Sequence, residues 1–324
     1  MSEHSSPQPQ SNDVVRQSSV ASVRNTPLQR SDSASQSHSS AAMQAERTSR
    51  RRRTTLRDWI PDQPGAWVMA LAPALAGAIC GTAAAVARPS AQSGFPATAA
   101  GWWILACWAL CYCLEFTTAR WLKSHCASRY LPPALGYGIA LAAIGLPFLI
   151  AHVDVLVWAP VYVVLAVVAF AGAWFRRERS LWANAAAVVA ASLMSMITFH
   201  YAAHSPGIPQ VSLPGLVLAL CFAATQFGSV LFVKTMIRER GKRSYVVASW
   251  LWHAVLLVWW LIPANRSPYL VIMGMVLLAR AIALPLVART RTIKPMIVGI
   301  TECFASIIAF GCILGNALMY IPHI

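Results

Sequence analysis

The chain has 324 residues, of which 57% are hydrophobic and 11% are charged, and its mean hydropathy is +0.54. Soluble globular domains carry about 25% charged residues, so this composition argues against a water-soluble protein and indicates an all-α, polytopic membrane protein. The formal net charge of +15 would otherwise suggest nucleic-acid binding, but the positions of the cations along the chain give it another meaning.

Residues 1–55 differ in composition from the remainder, since Ser, Gln, Arg and Pro dominate. Such a segment cannot bury enough apolar surface to offset the entropy of ordering, so we predict a disordered cytoplasmic tail. The tail contains an arginine run at 50–53, which suits either a topology signal or a patch that attracts anionic lipid. No aromatic residue lies among these arginines, so we expect no nucleic-acid partner, and no apolar segment near Met1 indicates a cleavable signal peptide.

Residues 56–324 are predicted to form one transmembrane domain. A membrane-spanning helix needs about 20 predominantly apolar residues, and nine runs of the sequence meet this requirement. The predicted spans are 66–87, 97–119, 132–151, 155–175, 181–203, 212–233, 244–262, 269–287 and 296–318. The loops between them are short and leave no room for a second folded domain.

The lysines and arginines are concentrated in the loops that follow the even-numbered spans. These fourteen cations are Arg120, Lys123, Arg129, Arg176, Arg177, Arg179, Lys234, Arg238, Arg240, Lys242, Arg243, Arg289, Arg291 and Lys294. The opposite loops contain only Arg88 and Arg266. The positive-inside rule therefore predicts a plasma-membrane protein with a cytoplasmic N-terminus and with Ile324 on the outer side. We interpret the net charge mainly as a signal for orientation.

Three acidic or basic residues other than histidine lie inside predicted spans, where charges are costly and usually face the interior of the bundle: Glu115, Arg280 and Glu302. At about 1.5 Å per residue, Arg280 and Glu302 both lie about 10 Å below the cytoplasmic end of adjacent antiparallel helices. This common depth predicts an ion pair. The pair either fixes the register of two helices, or Arg280 holds an anionic ligand that Glu302 orients.

Glu115 and Glu239 have candidate partners close in sequence. Glu115 would pair with Arg120 and Lys123 by extending toward the membrane surface, or would instead line a cavity that opens to the cytoplasm. Glu239 would pair with Arg243, four residues further on, if the helix of span 6 continues that far.

The segment that follows span 6 is the most densely charged part of the membrane domain. In a continuous helix, Lys234, Arg238 and Lys242 would lie at i, i+4 and i+8 on one face, whereas a helix stop at Gly241 would leave Lys242 in the loop. Cations at the membrane edge suit a phosphate or a carboxylate, although a topology signal would place cations here as well.

No motif indicates a metal or a cofactor. His200 and His204 have i,i+4 spacing but no surrounding HExxH pattern, and the cysteines form no CxxC motif, so we predict no metal site and no cofactor. Two GxxxG motifs, at 77–81 and 311–315, allow helices to approach closely, and we predict that they serve packing within the chain.

Three segments carry a resemblance to a known family. The opening Trp-Ile-Pro-Asp-Gln-Pro-Gly-Ala-Trp-Val-Met at 59–69, followed by Pro73 and Gly77, resembles the start of the YwiC-like family of bacterial membrane proteins. The Arg-Arg-Glu-Arg-Ser run at 176–180 and the segment 233–240 are also similar to that family. The resemblance extends from about residue 58 to about residue 310. It implies a multi-pass membrane protein and does not specify an activity.

The sequence departs from the family pattern at two places. Pro64 stands where the family usually has His, and the segment 182–185 lacks the acid of the family's Asn-Asp pair, which puts proton transfer at either place in doubt. A more distant similarity is to UbiA-type prenyltransferases, which also have nine spans and functional loops after spans 2 and 6. Their Asp-rich motifs are absent here, so a Mg²⁺-diphosphate site is not predicted and enzymatic activity is not expected.

Three hypotheses for function remain from the sequence. In the first, a cytoplasm-facing cavity binds an anionic lipid or an isoprenoid phosphate through Lys234, Arg238 and Arg280, and Glu115 and Glu302 act as orienting acids. In the second, the same residues line the path of a small anion through a transporter. In the third, the protein is a membrane scaffold without a small ligand.

The transport hypothesis carries a structural expectation of its own. Transporters commonly bind substrate at broken helices near the membrane midplane. Pro73 and Gly77 are the best-placed residues for such a break.

Overall fold

The structure is a computed structural model that describes Met43 and residues 56–61, 64–87, 95–203, 211–262 and 267–320. The predicted disordered tail at 1–55 lies outside the described residues apart from Met43. Arg88, Arg266 and Ile324 lie outside them as well, as does the side chain of Pro64.

Within the described ranges there are nine helices long and apolar enough to cross a membrane, and no β-strand. They are α1 (Pro64–Ala87), α2 (Phe95–Lys123), α3 (Leu131–Ala151), α4 (Ala159–Trp174), α5 (Leu181–Ala203), α6 (Leu213–Val233), α7 (Arg243–Leu261), α8 (Pro268–Thr290) and α9 (Pro295–Tyr320). Each predicted span coincides with one helix, and no boundary differs by more than four residues. The predicted class, an all-α multi-pass membrane protein, is confirmed.

The outer surface of the bundle is apolar, which fits a lipid environment. Ile139 and Ile150 on α3 are 71% and 78% exposed, and Val163 and Val167 on α4 are 60% and 62% exposed. An apolar surface of this kind would promote aggregation in water, whereas the hydrocarbon core of a bilayer solvates it well. The lipid bilayer is therefore the environment of these helices.

The centre of the bundle is the close contact between α1 and α5, which pack more extensively than any other pair of described helices. A Cβ at Gly77 would overlap the Ser195 carbonyl oxygen and the Thr198 hydroxyl, and a Cβ at Gly81 would overlap α5 as well. The Thr198 hydroxyl donates a hydrogen bond of 2.8 Å to the carbonyl of Ala74. The GxxxG motif at 77–81 therefore serves packing within the chain, as predicted.

The helix α1 is continuous through Pro73. Pro73 and Gly77, the residues best placed to interrupt a helix near the midplane, do not interrupt it. The structural feature expected of a transporter is therefore not found at these two positions.

The loops after α2, α4, α6 and α8 meet at one end of the bundle. Lys123 Nζ lies 2.9 Å from Glu178 Oε2, and this pair joins the first two loops. Lys234 Nζ donates a hydrogen bond of 2.6 Å to a backbone carbonyl of the loop after α4. Met236 and Ile293 belong to one apolar cluster, which joins the loops after α6 and α8. We call this end, which carries the fourteen cations named above, the basic end.

Candidate functional site

A cavity of about 640 Å³ lies among α1, α6, α8, α9 and the loop between α4 and α5. Three cations line it: Arg179, Lys234 and Arg238. Much of the remaining wall is apolar and includes Met69, Ala72, Phe222, Val230 and Phe310. We call it the Lys234 cavity. It combines a cationic rim with an apolar interior.

Lys234 is held in place by a local departure from α-helical geometry. The α-helix α6 ends at Val233, and the next turn, Lys234–Arg238, is π-helical. Such turns occur frequently at functional sites. The side chain of Lys234 is 5% exposed, and its ammonium group donates to the Arg179 carbonyl at 2.6 Å. An ammonium group has three donors, so two remain for a ligand.

The predicted ion pair between Arg280 and Glu302 is confirmed. Arg280 Nη1 lies 2.5 Å from Glu302 Oε2, and the two side chains are 5% and 15% exposed. The Arg280 guanidinium also lies over the Phe232 ring, 4.2 Å from its centroid. Glu302 lines the Lys234 cavity, whereas Arg280 does not. Arg280 therefore acts on this cavity through the carboxylate that it holds.

A second cavity, of about 1230 Å³, lies among α1, α2, α4 and α5. We call it the Glu115 cavity after the carboxylate in its wall. Six aromatic residues line it: Trp108, Tyr112, Phe116, Tyr130, Tyr162 and Phe170. Trp108 Nε1 donates to the Ala70 carbonyl at 2.8 Å, and the Tyr162 hydroxyl donates to the Ala190 carbonyl at 2.9 Å. These donors are thus used within the protein.

Of the two alternatives for Glu115, the structure has the second: Glu115 lines a cavity and does not pair with Arg120 or Lys123. Lys123 pairs with Glu178 at 2.9 Å. Arg120 lies over the Phe116 ring instead, 4.6 Å from its centroid. Each cation therefore has a partner other than Glu115. Among the described residues Glu115 has neither an ion pair nor a hydrogen bond, and its carboxylate lines the cavity.

Asp58 is a site residue that the sequence reasoning missed. It lies in the short helix Leu56–Trp59 at the rim of the Glu115 cavity and is 4% exposed. Arg129 binds it with two nitrogens, with Nη2 at 2.9 Å and Nε at 3.2 Å from Oδ2, and Arg120 lies 3.8 Å from Oδ1. The signal in the sequence is an acid shortly after a run of arginines. Arg129, its partner, is interpreted from the sequence only as part of the topology signal.

The two cavities are neighbours with a common wall. Four residues line both of them: Ala66, Met69, Arg179 and Asn184. Arg179 therefore contributes a charge to each cavity, and its backbone carbonyl accepts the hydrogen bond that fixes Lys234.

The five residues predicted for one site are divided between two places. Lys234, Arg238 and Glu302 line the Lys234 cavity, and Arg280 lies behind Glu302. Glu115 lines the neighbouring cavity and not this one. That all five residues act on a single ligand stays a prediction, since the two cavities share a wall.

The charged segment after α6 follows the helix-stop interpretation. Gly241 has φ +88°, a conformation that glycine adopts readily, and Lys242 precedes α7 in extended conformation. Lys242 therefore does not extend the helical face of Lys234–Arg238. Glu239 pairs with Lys242 at 2.6 Å, so the pair with Arg243 that a continuing helix would allow does not form. The hydrogen bond from Lys242 lowers the pKa of the Glu239 carboxyl from its usual value.

Comparison with known proteins gives one family match. The family described as YwiC-like protein matches residues 60–199, a range that includes the opening motif apart from Trp59 and the run at 176–180. The match does not reach the segment 233–240, so the resemblance beyond residue 199 stays a prediction. No curated protein and no solved structure matches the chain, so the similarity in layout to UbiA-type prenyltransferases is not borne out. The resemblance stated from the sequence is confirmed over residues 60–199, where this chain is similar to the YwiC-like family.

Proposed function

We propose that the Lys234 cavity binds the head group of an anionic amphiphile, either an anionic lipid or an isoprenoid phosphate. The observation that supports this most directly is the grouping of Arg179, Lys234 and Arg238 around one cavity whose deeper wall is apolar. A phosphate at the rim would meet the cations while its hydrocarbon chain lies against the apolar wall.

The charges around this cavity favour an anion. Among the described residues that line the cavity, Glu302 carries the one carboxylate, and Arg280 compensates it through a 2.5 Å contact. The three lining cations are therefore in excess. Guanidinium groups bind phosphate oxygens with two parallel hydrogen bonds, and an ammonium group contributes a compact charge. These interactions are stronger beside a low-dielectric wall than in bulk water.

Direct contact between cations and phosphate does not call for a bridging metal ion. Among the described residues, no group of three His, Cys, Asp or Glu side chains is placed to hold one. The volume of about 640 Å³ lies within the range of small-ligand pockets, roughly 300–1,000 Å³. The proposal is therefore one of binding, and no transfer reaction is assigned.

The basic end is proposed to face the cytoplasm, with the protein in the plasma membrane and its N-terminus on the cytoplasmic side. Fourteen cations in the loops of that end support this orientation through the positive-inside rule. An anionic ligand would then enter from the cytoplasmic leaflet, which carries a negative surface potential.

Native mass spectrometry in a mild detergent tests the proposal. The protein is titrated with phosphatidylglycerol and, separately, with farnesyl phosphate, which distinguishes the two sources of an anionic head group. The site variant is Lys234→Ala/Arg238→Ala. The matched control is Arg240→Ala/Arg243→Ala, since these exposed cations lie in the same loop region but line neither cavity.

The site variant is expected to bind at least one probe about tenfold or more weakly, while the control variant binds as the unchanged protein does. Equal affinity of both variants for both probes would overturn the proposal. Inorganic phosphate serves as the competitor. If it displaced the amphiphiles at equal concentration, the apolar wall would contribute nothing, and anion flux into proteoliposomes would become the appropriate assay.

A further inference from the structure

The Glu115 cavity contains a carboxylate that the proposed function does not use. Glu115 lies eight residues before the end of α2, about 12 Å along the helix, and so within the membrane-spanning part. Ionisable residues at such depth are costly and mark functional sites by default. Within the described part of the chain this carboxylate has no counter-charge.

The surroundings of Glu115 favour a cation. Glu178 is a second carboxylate whose charge acts on Glu115 and repels it. The polar groups of Trp108 and Tyr162 already donate to backbone carbonyls, so these residues offer a ligand mainly their rings. Ammonium groups bind aromatic faces as well as carboxylates. A carboxylate beside aromatic walls is therefore suited to an ammonium group.

The rim of the same cavity has the opposite character. Arg176 and Arg179 line it, are exposed, and form no ion pair with the described residues. Lys123 is compensated by Glu178, with their charged atoms 2.9 Å apart. A simple cation would have to pass two uncompensated arginines. A ligand that carries an anionic group next to its ammonium group would compensate the arginines at the rim as well as the carboxylate of Glu115.

We propose that the Glu115 cavity binds a zwitterionic amphiphile. Its ammonium group lies at Glu115, its phosphate contacts Arg176 at the rim, and its hydrocarbon part lies against the apolar wall. The phosphoethanolamine head group of a lipid has this arrangement of charges. The volume of about 1230 Å³ exceeds that of ordinary small-ligand pockets and has room for the start of an acyl chain.

Native mass spectrometry of the full chain in mild detergent, titrated with phosphatidylethanolamine, tests this inference. Glu115→Gln is expected to weaken binding about tenfold or more, because the ammonium loses a charged hydrogen-bond acceptor. Glu239→Gln is the matched control, since Glu239 is also an acid near the basic end but lines neither cavity. Unchanged binding by Glu115→Gln would overturn the proposal.

A second variant tests the zwitterion separately. Arg176→Gln is expected to weaken the binding of phosphatidylethanolamine but not that of dodecylamine, which has the ammonium group and a chain but no phosphate. Equal binding of phosphatidylethanolamine by Arg176→Gln and by the unchanged protein would overturn the assignment of the rim. Glycerophosphoethanolamine, the same head group without acyl chains, is expected not to compete at equal concentration. Effective competition would overturn the assignment of an amphiphile.

The same titrations separate this inference from the proposed function. Phosphatidylglycerol has a phosphate but no ammonium, so Glu115→Gln is expected to bind it as the unchanged protein does, which also shows that the variant is folded. Lys234→Ala/Arg238→Ala is expected to bind phosphatidylglycerol more weakly and to bind phosphatidylethanolamine as the unchanged protein does. Loss of both lipids in both variants would contradict two independent sites.

Discussion

Arg280 and Glu302 form an ion pair that joins α8 to α9, with Nη1 and Oε2 2.5 Å apart. The guanidinium also lies over Phe232, so α6 takes part in the same contact. Three helices thus meet at one buried charge pair, directly behind the wall of the Lys234 cavity. The pair serves structure and site together, because the register it fixes also orients the carboxylate that lines the cavity.

Breaking this pair is expected to destabilise the protein cooperatively. Glu302→Gln leaves the buried guanidinium of Arg280 without its counter-charge, and we expect the free energy of unfolding to fall by about 3 kcal/mol. Arg280→Gln should cost a similar amount. The double variant should lose less than the sum of the two, with a coupling energy above about 1 kcal/mol in unfolding by mixed detergent micelles. Additive losses would contradict a direct pair.

Ser306→Ala provides the control for this measurement. Ser306 lines the same cavity one turn further along α9, but it carries no charge. Its replacement is expected to change the free energy of unfolding by no more than about 0.5 kcal/mol. A loss as large as that of Glu302→Gln would mean that any change on this face of α9 is destabilising.

The two GxxxG motifs provide a test of helix packing. A Cβ at Gly77 would overlap the backbone of α5 at Ser195, which cannot shift as a flexible side chain can. Gly77→Ala is therefore expected to lower the free energy of unfolding by about 2 kcal/mol. Gly311→Ala is the control, because no atom outside its own stretch of helix lies within 4 Å of its Cβ position. Both variants are unfolded by the same detergent titration. A similar fall in the free energy of unfolding for both would contradict the packing of α1 on α5.

The spans could be predicted from sequence because bilayer thickness fixes the length of an apolar run. The contact of Arg280 with Glu302 could be predicted for a related reason. Depth along adjacent antiparallel helices is simple arithmetic at 1.5 Å per residue, so two charges at equal depth become candidates for pairing. Both inferences use distances measured along the chain.

The division into two cavities could not be predicted, because it depends on which helices become neighbours. The Asp58 carboxylate meets Arg129 across 71 residues of sequence, and Thr198 meets the Ala74 carbonyl across 124. No periodic pattern in the sequence indicates either contact. The partner of Glu239 was also missed, since a π-helical turn and Gly241 end the helix before an i,i+4 pair can form.

Removing the carboxylate of Asp58 is expected to loosen the short helix Leu56–Trp59. Arg129 makes charged hydrogen bonds to this buried group, and Asp58→Asn should lower the free energy of unfolding by about 1–3 kcal/mol. Glu178→Gln is the control. Its pair with Lys123 is 31% and 47% exposed, so the loss should be below about 1 kcal/mol. If thermal unfolding gave equal losses, burial of Asp58 would not matter.

Cys126 provides a test of the proposed orientation. Its side chain is exposed, and it lies in the loop after α2 at the basic end, whereas the other cysteines lie within the spanning helices. A membrane-impermeant maleimide is expected to label the protein in inverted vesicles, where the cytoplasmic side is accessible, and not in right-side-out vesicles. Cys126→Ser should abolish this labelling. Labelling of Cys126 only in right-side-out vesicles would reverse the orientation, and the anionic ligand would then have to enter from the outer leaflet.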